Sequence, residues 1–312
     1  MFRPTTAAVL AAFLAAPAFA ADPETCDTVH FSDVGWTDIT ATTAAAGTVL
    51  RGLGYETDVS ILSVPVTYAG LSKGDIDVFL GNWMPTMEAD LAPHRDDGSV
   101  EVLRPNLTGA KYTLAVNSSL ADAGLKDFAD ISKFSEQLGS TIYGIEAGND
   151  GNRLILDMID KDAFGLGGFK LKESSEQAML AEAKRAEKSG KGIVFLGWEP
   201  HPMNATLKMT YLTGGDDFFG PDFGGATVYT NVRKGYATEC PNVGKLLQNM
   251  VFTLPMESEI MGKILDDGED PDEAAAAWLT ANPDILGGWL EGVTTRDGSG
   301  DGLAAVRAAL GV

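Results

Sequence analysis

The sequence predicts an α/β fold in two lobes, each a sheet flanked by helices, with two crossover strands as the hinge between them. Three observations predict it. Short strand-like runs alternate with helical stretches in two successive series, the pattern of a parallel sheet covered by helices. The chain after Cys240 is almost wholly helical. Two short Gly-bearing segments, near 108–111 and 214–225, read as the places where the chain leaves the first lobe and returns to it. The lobes are therefore drawn as 21–109 with 217–312, discontinuous in sequence, and 110–216.

The first series opens with a strand at 28–32 and a helix through 43–53. A strand at 57–64, a short helix at 66–73, a third strand at 77–80 and a helix over 84–91 follow. The second series opens with a strand at 112–116. Strands at 141–144, 169–171 and 193–196 then alternate with helices at 153–161 and 175–189, the latter preceded by Ser174 and Ser175 as N-cap candidates. A strand at 227–232 follows the Gly-rich stretch GGDDFFGPDFGG, and helices at 245–252, 257–265, 273–279 and 303–310 complete the order.

Residues 1–20, MFRPTTAAVLAAFLAAPAFA, have the form of an export leader: Arg3, an apolar run at 7–16, and Ala18-Phe19-Ala20 as a small-x-small cleavage site. No later stretch holds 18 apolar residues, so the mature chain reads as soluble and periplasmic. The two Cys, Cys26 and Cys240, are an even pair in an exported chain and read as one disulfide, the alternative being two buried thiols. Such a bridge would close most of the chain into a loop, worth roughly 4–5 kcal/mol on chain entropy. The charge is acidic: without Arg3, 22 basic residues face 44 acidic ones, a net of −22. Nucleic acid and anionic lipid are poor partners for such a surface, and a cation is a good one, although solubility alone accounts for much of the charge.

Three of the five Trp follow a short strand-like run and a Gly: Trp36 in DVGW, Trp83 in LGNW and Trp198 in FLGW. In open parallel sheets ligands bind outside the carboxyl ends of strands. Two of these rings come from the first series and one from the second, so they face each other across a cleft. Trp278, in AAAAWL, has instead the setting of a helix-packing residue. A quaternary ammonium has no N–H to donate and is held by aromatic faces, each desolvated contact contributing up to about 2 kcal/mol. Tyr112, at a crossover, offers a fourth face, and Asp38, two residues after Trp36, offers the counter-charge. Plain readings stay open beside these: Asp38 as the N-cap of the following helix, and Tyr112 as ordinary strand packing.

These residues resemble the periplasmic choline-binding proteins of ABC importers, which carry three Trp and one Tyr with an Asp two residues after the first Trp. The matching positions are Trp36, Asp38, Trp83, Tyr112 and Trp198, and Asn149 in GIEAGNDGNR matches the family's Asn in a Gly-rich loop. GWTD, GNWMP and FLGWEPHPM carry the resemblance, which spans essentially the whole mature chain. Both Cys fall where the family's disulfide falls. The resemblance implies a type II periplasmic binding protein that takes choline, or acetylcholine, between its lobes and delivers it to an ABC importer permease in the inner membrane. It implies that Asp38 neutralises the cation and that Asp38 and Asn149 reach the choline hydroxyl. From the residues alone, Asn149 offers a donor and an acceptor at a strand end, or simply forms the turn in G-N-D-G. Receptors for glycine betaine or trimethylamine N-oxide reuse such cages and form the alternative. The motifs offer Asp38 and no Lys or Arg, which favours a ligand without a carboxylate.

Other signals carry less. The stretch from Asp297 to Gly302 mimics half of a calcium loop, but position twelve is Ala308 and not a bidentate Glu, so it reads as a turn and no metal is expected. His30, His94 and His201 have no ligand spacing, and His201 reads as an ordinary loop residue. No activated Ser or Cys, phosphate loop or paired-carboxylate site stands out, so the chain reads as a monomeric binding protein without a cofactor, not as an enzyme.

Overall fold

The computed structural model describes residues 21–312, and the leader expected at 1–20 lies outside them. The strands are β1 (Thr28–Asp33), β2 (Glu56–Ile61), β3 (Val78–Met84), β4 (Val100–Asn117), β5 (Thr141–Tyr143), β6 (Lys170–Lys172), β7 (Val194–Glu199), β8 (Met209–Tyr211) and β9 (Gly225–Arg233). Among the described residues they form one sheet in the order β2-β1-β3-β9-β4-β7-β5-β6, with β8 on β4. β1 is parallel to β2 and β3, and β5 is parallel to β6 and β7. The antiparallel pair β4–β9 stands between these two parallel sets. β3 and β7 are buried along almost their whole length, as their unbroken apolar runs require of strands covered on both faces.

The two lobes share this one sheet instead of each closing its own. The reason is β4, an 18-residue strand that pairs first with β9 and then, from Lys111 onward, with β7. Its first half escapes a reading by apolar pattern because Arg104, Pro105, Asn106, Thr108 and Gly109 interrupt it. The ladder slips there at three places, between Val102 and Arg104, Pro105 and Leu107, and Thr108 and Ala110. Bulges of this kind bend a strand and add twist.

Helices α1 (Thr37–Leu53), α2 (Val64–Lys73) and α3 (Glu88–Asp96) flank the first set, and Asp150–Asp160 and Glu176–Ser189 flank the second. α1 begins six residues before the expected start. Its first turns, TDITATT, are rich in β-branched and short polar residues that favour other conformations, but most of them are buried, and packing overrides propensity. The helices Leu254–Gly262, Pro271–Ala281 and Gly302–Leu310 of the C-terminal part pack on α1. Cys26 and Cys240 are bonded, tying the turn before β1 to the start of the helix Pro241–Asn249. Asp22 reinforces that junction by accepting from the backbone N–H of Asn242 and Val243 and from the Tyr55 hydroxyl. Asp301 caps the last helix and Asp297 accepts from the Thr295 and Ser299 hydroxyls, which makes the calcium-like stretch a turn. No described helix is long and apolar enough to cross a membrane.

Candidate functional site

The carboxyl ends of the two parallel sets converge on the β4–β9 seam. Trp36 follows β1 and is the cap residue of α1. Trp83 lies within β3, opposite Val228 of β9, and Trp198 lies within β7, opposite Tyr112 of β4. Two of the three Trp are thus the last inward residues of their strands and not residues beyond them. Gly81 and Gly197 lie within these strands, where neighbours leave no room for a side chain: a Cβ on Gly81 would lie 2.7 Å from the Ile39 side chain, and one on Gly197 2.9 Å from the Tyr211 ring.

Trp36, Trp83, Tyr112 and Trp198, with Asp38 and Ile145, line one small space. All four rings are buried. Tyr112 sits between two of the indoles, its centroid 6.0 Å from Trp83 and 6.3 Å from Trp198, with interplanar angles of 62° and 82°. Such edge-on contacts leave ring faces free for a ligand. Phe219 extends the wall behind Tyr112 at 5.8 Å.

Asn149 is not among the side chains that line the space; it stands behind Tyr112. Its Oδ1 accepts from the Tyr112 hydroxyl and from the N–H of Asn152, both at 3.0 Å, so it caps the helix Asp150–Asp160 and pins the tyrosine together. Gly151 makes this fit possible, since a Cβ there would stand 2.1 Å from the tyrosine oxygen.

Asp38 is the second residue of α1 and does not cap it. The cap position belongs to Trp36, and the N–H of Thr37 is taken by Glu176. One carboxylate oxygen of Asp38 accepts from Trp83 Nε1 at 3.1 Å, and the other, also buried, has no partner among the described residues. Burial pushes its carboxyl well above the usual carboxylate range, Glu176 adds to this, and the Trp83 bond opposes it. Glu257, buried on the neighbouring helix Leu254–Gly262, is pushed up likewise by burial and by Asp38. Trp36 donates from Nε1 to Glu146 at 2.8 Å, and burial pushes the Glu146 carboxyl up to about 7. Acidic groups without a compensating cation thus stand at and around the space, biased by burial toward the protonated form, and no Lys or Arg lines it.

Sequence reasoning missed Glu146, Glu176 and Phe219, and it misplaced His201. That histidine is buried, its ring 4.8 Å from Trp198, although the sequence reads as a loop there. Glu176 follows the cap residue Ser175 and looks like any first-turn acid. Nothing local signals that its carboxylate turns inward.

A cleft between two lobes of one sheet defines a ligand-binding protein of the two-lobed periplasmic class. The chain belongs to the family described as the substrate binding domain of ABC-type glycine betaine transport systems (OpuAC), which matches residues 27–281. It is similar to a solved ABC-transporter choline binding protein in complex with choline, at 69% identity and a TM-score of 0.91 over 93% of this chain and 100% of that one. An ABC-transporter choline binding protein in an unliganded semi-closed conformation has the same identity and coverage and a TM-score of 0.85. Lactococcal OpuAC, closed on glycine betaine, is 26% identical with a TM-score of 0.76 over 84% of this chain and 99% of that one. The present conformation is nearer to the choline complex than to the semi-closed form.

Proposed function

We propose that the chain is a periplasmic receptor that captures choline, or acetylcholine, in the aromatic box and hands it to the permease of an ABC importer in the inner membrane. One observation carries this reading. Four buried aromatic rings share a space with one buried carboxylate, Asp38, whose second oxygen has no partner among the described residues, and no Lys or Arg lines that space. The trimethylammonium head lies against Trp36, Trp83, Tyr112 and Trp198, and Asp38 carries the counter-charge. Asn149 serves the site by fixing Tyr112, and the resemblance assigns its amide to the choline hydroxyl. The 69% identity with a protein solved with choline supports this ligand.

The lobes in this reading are 21–109 with 217–312, and 110–216, and residues 1–20 are the export leader. Trp36, Asp38 and Trp83 come from the first lobe, Ile145 and Trp198 from the second, so the box is complete only when the lobes meet. Glycine betaine is the second reading, favoured by the family's description. Its carboxylate would need a cationic or multi-donor partner, and the lining side chains supply none. Calorimetric titration with choline, acetylcholine, glycine betaine and trimethylamine N-oxide separates the readings. Choline is expected to bind one per chain and glycine betaine at least about tenfold more weakly, about 1.4 kcal/mol. The reverse order would install the betaine reading. Incubation with acetylcholine is expected to release no acetate.

A further inference from the structure

Glu176 lies outside the box, yet its carboxylate joins the two lobes. It opens the helix Glu176–Ser189 of the second lobe, and its side chain is 0% exposed. Its Oε2 accepts the N–H of Thr37 at 2.8 Å. Its Oε1 accepts the Thr37 hydroxyl at 2.7 Å and contacts His201 Nε2 at 3.0 Å. His201 Nδ1 accepts the N–H of Met203 at 2.9 Å, which assigns the ring proton to Nε2 and makes that nitrogen the donor to Glu176. The same imidazole packs edge-on against Trp198, at 4.8 Å and 78°. One line of contacts thus runs from Trp198 through His201 and Glu176 to Thr37, the residue between Trp36 and Asp38.

Resting on the receptor reading above, we propose that Glu176 and His201 are positioning residues that set how long the ligand is held. The bonds from Thr37 to Glu176 form only when the lobes meet. They fix the start of α1, and with it Trp36 and Asp38, in register with Trp198. Hydrogen bonds to an ionised acceptor are stronger than neutral ones, and a carboxylate at the first N–H of a helix also meets the favourable end of its dipole. Other hydrogen bonds cross the cleft as well, Trp36 with Glu146 and Arg153 with Asp90 and the Thr86 carbonyl. The Arg153 side chain is 38% exposed, where water competes for the pair. Glu176, Thr37 and His201 are all buried, so their bonds have no such competitor. Bonds made after closure act on release and leave capture by the open form nearly untouched.

The test is stopped-flow fluorescence of the mature chain with choline as the probe. Thr37→Val removes the hydroxyl and keeps the backbone N–H, Thr37→Ser restores the hydroxyl, and Glu176→Gln removes the charge. Thr37→Val and Glu176→Gln are expected to release choline about tenfold faster, with association changed less than about twofold and Thr37→Ser close to wild type. A merely structural role would lower the melting temperature of Thr37→Val without changing its release rate. Release within about twofold of wild type in Thr37→Val, where the wild type binds choline, overturns the proposal and leaves the receptor reading standing. If Glu176→Gln does not fold, the two Thr37 variants decide alone. A wild type that binds no choline removes the receptor reading and this proposal with it.

Discussion

Trp83 Nε1 donates to Asp38 at 3.1 Å, and this single bond orients a wall of the box and its counter-charge together. The indole plane is set by the carboxylate it serves, and the carboxylate keeps its second oxygen without a partner among the described residues.

Asp38→Asn keeps the shape and an acceptor for Trp83 while removing the anion. Choline binding is expected to weaken by roughly 1–3 kcal/mol. The melting temperature of the ligand-free variant is expected to match wild type at low pH, where Asp38 keeps its proton, and to exceed it as pH rises and ionising that buried carboxyl costs the wild type stability. Calorimetry and thermal unfolding check both. Near-native choline affinity in this variant would contradict the counter-charge role.

The raised carboxyls make binding depend on pH. A carboxyl whose folded pKa is raised keeps a proton that the unfolded chain gives up. Its stabilising contribution is complete below the ordinary carboxylate pKa and is lost as pH rises through the folded value. For Glu146 that window runs from 4.5 to about 7, and Asp38 and Glu257 are shifted in the same direction. A bound cation favours the charged forms, so binding releases protons and affinity rises with pH through this window. Titrations near pH 6 in two buffers of different ionisation heat are expected to show proton release. Affinity that does not change between about pH 5 and 8 would contradict it.

Much of this was legible from residues, and the limits are physical. Periodic apolar runs located β1, β3, β5, β7 and the helix Glu176–Ser189 within a few residues. β4 was legible only from Tyr112 onward, because its first half is bulged and carries Pro105 and Gly109. The four rings and Asp38 stood out because aromatic residues at strand ends with an adjacent acid serve a purpose that core packing does not need. Glu146, Glu176 and His201 did not stand out. Their roles depend on partners more than 20 positions away, and a carboxylate that crosses a cleft looks in sequence like one that faces water.

The disulfide spans a sequence separation of 214. On loop entropy, replacing both Cys with Ser is expected to cost up to roughly 5 kcal/mol. Neither Cys lines the box, so choline affinity of the folded variant is expected to hold. Thermal unfolding and titration of the double variant check this, and intact stability would show that the reduced chain is held by packing alone.

Because the box draws walls from both lobes, choline is expected to compact the molecule. X-ray scattering should give a smaller radius of gyration with choline than without it, and an equal radius in the two states would mean that ligand does not drive closure.

The most direct test is the choline affinity of Trp198→Leu beside Trp278→Leu, measured by calorimetry against wild type. Leu at 198 keeps an apolar side chain and removes the aromatic face. Trp278 lies on the helix Pro271–Ala281, donates to Glu259 and stands outside the box, which makes it the control. Trp198→Leu is expected to lose roughly 1–3 kcal/mol of choline binding, up to a hundredfold or so in affinity, while Trp278→Leu loses none. A Trp198→Leu variant that binds choline as tightly as wild type would contradict the aromatic box.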